Sequence, residues 1–368
     1  MIIILKYKTA VYLYCLLLCL LAVIISPAHA QHIAAGRIHS LYLDKDGNVW
    51  VWGGSSLDSV TNKRIPQLVM KEAKAIFAPS DENLSFVLKK NGSLIGWGDS
   101  SAGQLGVISK GRSSFISEPR QVTKNMSSVS GSYTVFGLKP DHTLWVWGGI
   151  GIQRGDKGTK EFTKPVKVMN DVAQVSSAFS HTLVLKRDGT LLAWGDNQCG
   201  ALGIGNTKDH IKPVRVNVKA LGKRKIAKIF ARDGESYVIA DDGSVWNWGE
   251  PNIMNPFCRY EPRLTPFQLP IDNVKDMALG FDFDVYLKND GSVWSWGLGH
   301  REPMTSSDFH PPYKVMDDVK EIAAGEYHLI VLKNDGTVWT QGNNQFGQIG
   351  DGTDRNANDP VQVHFPEQ

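Results

Sequence analysis

The sequence predicts an all-β chain: a seven-bladed β-propeller of four-stranded antiparallel blades. Three observations predict it. Seven hairpin turns recur at spacings of 45–54 residues. In six of the seven copies the strand after the turn ends in Trp-Gly. Every copy then closes with a proline-led apolar segment. A period of this length marks a repeat architecture, in which one unit cannot bury its apolar faces alone.

The turns are Asp46-Gly47, Asn91-Gly92, Asp141-His142, Asp188-Gly189, Asp242-Gly243, Asp290-Gly291 and Asp335-Gly336. Asp-Gly and Asn-Gly between apolar runs signal a tight hairpin whose two central residues both take positive φ. His142 in the third copy predicts a looser turn or one of another type. The strand after the turn reads Val49-Trp50-Val51-Trp52-Gly53 in the first copy and Val338-Trp339-Thr340-Gln341-Gly342 in the last. Several such strands are apolar on both faces, whereas a half-exposed antiparallel strand alternates. Sheets packed between two neighbours, as in a propeller, need not alternate. Proline cannot donate to a ladder, so the segments opening at Pro66, Pro119, Pro165, Pro213, Pro266, Pro312 and Pro360 read as outer edge strands. The short segment Ile33-Ala34-Ala35-Gly36 and its counterparts are small enough to converge on an axis. The repeats are taken as about 33–74, 75–125, 126–171, 172–225, 226–273, 274–318 and 319–368.

Residues 1–30 read as a secretory signal. Lys6 and Lys8 flank the 15-residue apolar run Val11 to Ile25, and Ala28-His29-Ala30 is a small-x-small cleavage site. That run is shorter than the roughly 20 residues a membrane span needs. The propeller would then occupy 31–368, secreted or periplasmic after cleavage behind Ala30, with no remaining membrane association. The chain carries 40 basic and 37 acidic residues, which gives no general drive toward nucleic acid or anionic lipid. The one basic run, Lys219, Lys223, Arg224, Lys225 and Lys228, reads as a solvated connector. Cys15 and Cys19 would leave with the leader. Cys199 and Cys258 then remain, in the same loop of neighbouring repeats, where an oxidising compartment permits one disulfide.

The recurring Gly36-x-x-His39-Ser40, Leu-x-x-Asp-Gly and Trp-x-Trp-Gly resemble the repeat of the regulator of chromosome condensation family. So do Gly103-Gln104-Leu105-Gly106, Gly200-Ala201-Leu202-Gly203 and Gly347-Gln348-Ile349-Gly350, each followed by Pro-x-x-Val. With its leader the chain resembles a secreted bacterial-type member. The resemblance covers residues 31–368 and implies the propeller fold. It leaves function open, because one fold hosts many: members act as an exchange factor for a small GTPase, an inhibitor of β-lactamases and an ultraviolet sensor. The Gly-Gln-Leu-Gly element is absent from copies one, three, five and six. Histidine at the Gly-x-x-His position persists only as His39, His181 and His328, replaced elsewhere by Leu84, Thr134, Glu235 and Phe283.

The 11 tryptophans all fall in the third strand, so the repeat framework accounts for them as filling between blades. The three histidines read as core hydrogen-bonding groups. No zinc-ligand spacing, Cys-x-x-Cys, Gly-x-Ser-x-Gly, Walker or dinucleotide pattern occurs. Asp44-Lys45-Asp46-Gly47-Asn48 lacks the later glycine and glutamate of a calcium loop. Arg154-Gly155-Asp156 is too short a match to carry meaning. The chain is therefore read as a non-enzyme without cofactor or metal.

In an up-and-down blade the loop between strands one and two shares a face with the loop between strands three and four. The inner of these two loops is the x-x of Gly-x-x-His. Around the ring it places Arg37, Glu82, Asn83, Tyr133, Phe179, Asp233, Phe281, Asp282, Glu326 and Tyr327 at the channel mouth. Tyr and Phe are enriched in interface cores, and variable loops on a rigid scaffold are the usual place for binding. These residues form the predicted binding site of an exported, monomeric inhibitor or adaptor that takes a protein partner. Two alternatives stay open: a hydrolase acting through Glu82, Asp233, Asp282 or Glu326, and an exchange-factor-like regulator of a small GTPase.

Overall fold

The computed structural model describes residues 31–54, 57, 63–79, 82–107, 115–149, 163–250, 258, 262–297 and 312–367. Residues 1–30, read as a secretory signal, and Arg154-Gly155-Asp156 lie outside them. In the first blade β1 (Ile33–Ala35), β2 (His39–Leu43), β3 (Val49–Gly53) and β4 (Gln67–Met70) pair antiparallel in chain order. Six further four-stranded sheets repeat that order over 73–124, 128–169, 172–215, 226–268, 274–316 and 319–362. The fold is the seven-bladed propeller expected from the repeat. No helix among the described residues is long and apolar enough to cross a membrane.

The core is divided among the joints between blades. Seven apolar clusters form among the described residues, and each joins two neighbouring blades. Trp52, Trp97, Trp147, Trp194 and Trp248 are among the largest fully buried side chains. A sheet apolar on both sides thus finds an apolar neighbour on each side. The ring closes by packing, with no shared blade. Ile33 and Trp52 of the first blade cluster with Ala323 and Ile330 of the seventh. His32 meets Glu321 at 2.7 Å across the same joint.

Three details differ from expectation. In the hairpins only the glycine takes positive φ, +88° at Gly47 and +85° at Gly189. Gly47 N donates to Asp44 O while Asp44 N donates to Asn48 O, so the loop has three residues and its glycine forms the bulge. His142 forms that same turn at φ +62°, its N–H donating to Lys139 O at 2.9 Å. The turn is therefore neither looser nor of another type. Nor does proline always open the outer strand. Pro119, Pro213, Pro266 and Pro360 lie inside strands Phe115–Lys124, His210–Arg215, Arg263–Gln268 and Ala357–Gln362. The ladder shifts register at these places, and proline's missing N–H is tolerated at a bulge. Of the basic run, Arg224 before the strand Ile226–Arg232 pairs with Asp242 at 2.5 Å, and Lys228 within that strand pairs with Asp276 at 2.8 Å.

Candidate functional site

Two backbone devices hold the mouth loops. In the Gly-x-x-His turn the first residue donates its N–H to the carbonyl of the fourth: Gly36 to His39, Gly280 to Phe283, Gly325 to His328. A Cβ at Gly36 would fall 2.1 Å from the His39 ring, and one at Gly280 would fall 2.0 Å from Phe283. The glycine makes room for the ring that folds beneath the turn. The Trp-Gly glycine then clasps the same turn from outside. The residue after it donates to the carbonyl of the turn's third residue, as in Gly54 to Ile38 and Asp196 to Ser180. Gly195 sits at φ +120°, where a Cβ would stand 2.4 Å from that carbonyl.

Below the mouth the blades are pinned by one recurring pair. His39 Nε2 meets Ser85 Oγ at 2.7 Å, His181 meets Ser236 at 2.7 Å, and His328 meets Ser40 at 3.0 Å. Each pair runs from one blade to the next. Burial lowers the imidazoles to about 4, about 4 and about 3. At the joint between blades five and six, Glu235 and Asp284 replace histidine and hydroxyl. Arg232 lies between them, bonded to Glu235 and, at 2.7 Å, to Asp284 Oδ1. Tyr237 and Tyr286 donate to Asp284 Oδ2. Burial alone would lower the Arg232 guanidinium; the Asp284 and Glu235 carboxylates reverse this and raise it. The sequence reading missed this cluster. Two acidic residues at positions that face each other across one joint were the available signal.

The structure gathers the predicted mouth residues around the axis and ties neighbours together. Phe281 N donates to Glu326 O, Glu326 N to Arg37 O, and Arg37 N to Glu82 O. Arg37 Nε binds Glu326 Oε2 at 2.7 Å, and Ser132 Oγ reaches Glu82 Oε1 at 3.4 Å. The aromatics form two pairs, each across a joint. Tyr133 and Phe179 meet edge to face with centroids 5.5 Å apart, and Phe281 and Tyr327 meet at 5.4 Å. Phe179 remains 47% exposed and Tyr133 36%. A cavity of about 490 Å³ opens between them along the axis, lined by Arg37, Glu82, Phe179, Asp233, Phe281 and Glu326 among others. Burial raises the Asp233 carboxyl, a hydrogen bond from Ser180 opposes this and Asp196 adds to the rise, and its Oδ1 is left without a hydrogen-bond partner. The Asn83 side-chain oxygen is likewise buried and unpartnered, while Asp282 is exposed. Phe346, 49% exposed, stands outside the aromatic pairs on the loop of blade seven and was not foreseen. Cys199 and Cys258 are joined, their Cα atoms 5.5 Å apart, tying the blade-four loop to the blade-five loop. Among the described residues no three His, Cys, Asp or Glu side chains converge as a metal site.

Family models for the regulator of chromosome condensation (RCC1) repeat match residues 30–57, 172–201 and 319–348 and, in a second form, 188–237 and 335–368. The chain carries RCC1 repeats. It is 27% identical over 250 residues to the mitochondrial RCC1 domain-containing protein RUG3 of Arabidopsis thaliana, over 61% of this chain and 56% of that protein. To the ultraviolet-B receptor UVR8 of the same plant it is 25% identical over 244 residues, covering 60% and 52%. The chain spans about half the length of these curated relatives. Among solved structures, Prp20p of Saccharomyces cerevisiae, described with its binding to Gsp1p and histones, superposes with a TM-score of 0.71 at 16% identity, covering 92% of this chain and 89% of that one. At that identity the likeness concerns the fold alone.

Proposed function

We propose that the chain is an exported protein-binding propeller that meets its partner with the Gly-x-x-His face, as an inhibitor or adaptor. The observation that carries this reading is the pair of partly exposed aromatic couples, Tyr133–Phe179 and Phe281–Tyr327, at the rim of the axial cavity. Free-standing turn tips need no such rings, whereas interface cores are enriched in them. The RCC1-repeat protein Prp20p is described with protein partners, which agrees with a binding role. The basic flank, apolar run and small-x-small site of residues 1–30 support export, and the Cys199–Cys258 bond suits an oxidising compartment.

The test is crosslinking of the exported protein in its native medium, with the joined partner identified, for the parent chain and for Phe179→Ala combined with Phe281→Ala. The double variant should lose that partner while its Tm stays within about 2 °C, as expected for surface changes. A matching fall in Tm would make the rings core. Retention of the full chain in the cytoplasm, with an intact N-terminus, would overturn export.

A further inference from the structure

We infer that the mouth is built to receive an arginine side chain presented by the protein partner. This rests on the reading that this face binds protein. It adds the chemistry of the group that enters the channel.

The arrangement around the ring is the first ground. Blades three and four supply the Tyr133–Phe179 couple, and blades six and seven supply Phe281–Tyr327. Asp233 of blade five stands between the couples on one side. Glu82 and Arg37, the latter bound to Glu326 of blade seven, stand between them on the other. Aromatic faces thus alternate with carboxylates around one cavity. A guanidinium uses both at once: its flat face lies on a ring while its edge donates to carboxylate oxygens.

Charge is the second ground. Among the described residues Glu82, Asp233, Asp282 and Glu326 stand at the mouth with Arg37, which is held by Glu326. Arg232, the other guanidinium at the cavity wall, is taken up by Glu235 and Asp284. The surplus is negative.

The third ground is the state of Asp233. The Ser180 hydroxyl bonds this carboxyl, while its Oδ1 accepts nothing. Leaving a buried acceptor unmade costs about 1–3 kcal/mol, more for a charged group. A neutral or anionic guest would leave that carboxylate unbalanced. A cationic donor would supply both the hydrogen bond and the charge.

The probes are N-acetyl-L-arginine amide and its neutral isostere N-acetyl-L-citrulline amide, titrated by NMR against the mature propeller and against Asp233→Asn. Arginine amide should bind at least about tenfold more tightly than citrulline amide, the factor a charge-assisted hydrogen bond supports. Asp233→Asn should remove that preference with its Tm unchanged or slightly raised, since a buried carboxyl with a raised pKa opposes folding at neutral pH. Equal binding of the two amides, no binding of either, or a preference that survives in Asp233→Asn would each overturn the inference. Partner crosslinking lost on removal of Phe179 and Phe281 but indifferent to excess arginine amide would leave the face as a binding face and sink only the arginine. Arginine binding with crosslinking untouched by removing the rings would do the reverse.

Discussion

Acid should unfold this propeller through three imidazoles. His39, His181 and His328 are fully enclosed, and burial lowers them from 6.5 to about 4, about 4 and about 3. Each Nε2 faces a serine hydroxyl, and each Nδ1 is buried without a partner. Below 6.5 the unfolded chain takes up protons at these rings that the folded chain refuses until its own lowered value. Their contribution is therefore complete above 6.5 and is lost as pH falls toward 4 and then 3. At about 1.4 kcal/mol per pKa unit, His39 and His181 each contribute about 3 kcal/mol of acid sensitivity and His328 about 5. The total, on the order of 10 kcal/mol, matches the whole net stability of a typical domain. Urea unfolding followed by tryptophan fluorescence, between about pH 7 and about pH 4, measures it. The parent and His181→Gln are compared; glutamine keeps a polar reach toward Ser236 but does not titrate. The variant should start about 1–2 kcal/mol less stable at neutral pH for its imperfect hydrogen bond. Its slope should then be shallower by up to about 1.4 kcal/mol per pH unit, the share of one proton. Because the comparison is a difference, carboxylates common to both proteins cancel. Parallel curves would refute the claim that His181 is held neutral.

Three further outcomes follow from particular contacts. Arg232→Met should lose about 3–5 kcal/mol in chemical denaturation, since Glu235 and Asp284 would stay buried without their cation. Adding Glu235→His and Asp284→Ser, the pair used at three other joints, should recover most of that loss, and no recovery would show that the joint depends on arginine for another reason. Reducing the Cys199–Cys258 bond, which closes a separation of 59 residues, should lower stability by about 4 kcal/mol on the chain-entropy account; an unchanged melting curve with reductant would contradict it. His142→Gly should raise stability by about 1 kcal/mol by removing a side chain from φ +62°, measured as a higher urea midpoint at constant slope.

The blades were legible because each signal recurs in nearly every copy. One Asp-Gly is a weak hairpin, but seven related turns at a near-constant spacing specify a register. What the repeat blurs is whatever departs from it locally. A two-residue and a three-residue turn share the letters Asp-Gly, and hydrogen bonds decide between them, so the turn at Gly47 was misread. Proline specifies an edge strand but not its start, because the bulges at Pro119, Pro213, Pro266 and Pro360 depend on the partner strand. At the mouth, topology alone placed Arg37, Glu82, Tyr133, Phe179, Asp233, Phe281 and Glu326 around one axis, and all but Tyr133 line the same cavity. The Arg37–Glu326 bridge spans 289 residues of sequence and was not legible. Nor were the aromatic couples, since loop spacing does not say which way a ring turns.

The joints explain why the departures cluster as they do. At each joint one position of a blade faces one position of the next, and both lose water when the blades pack. A buried polar group without a partner is unfavourable, so the two positions must match. Histidine meets serine at three joints, and a carboxylate pair encloses Arg232 at another. Leu84 and Val135 share one apolar cluster, Phe283 and Leu329 another. Where the indole that fills the joint is replaced by Gln341, Phe283 supplies aromatic volume on the facing blade. Thr134, opposite Thr182, leaves its hydroxyl unpartnered, as the three histidines leave Nδ1 and Gln341 leaves Oε1. A framework so matched asks nothing of the loops above it except that their glycines fit. The loops are then free to hold groups that make no sense for folding. Asp233 is such a group: partly buried, raised in pKa and bonded by Ser180 but with Oδ1 unpartnered, it weakens the free protein at neutral pH. Packing gives no reason to keep a carboxylate there, whereas a cationic guest in the channel would.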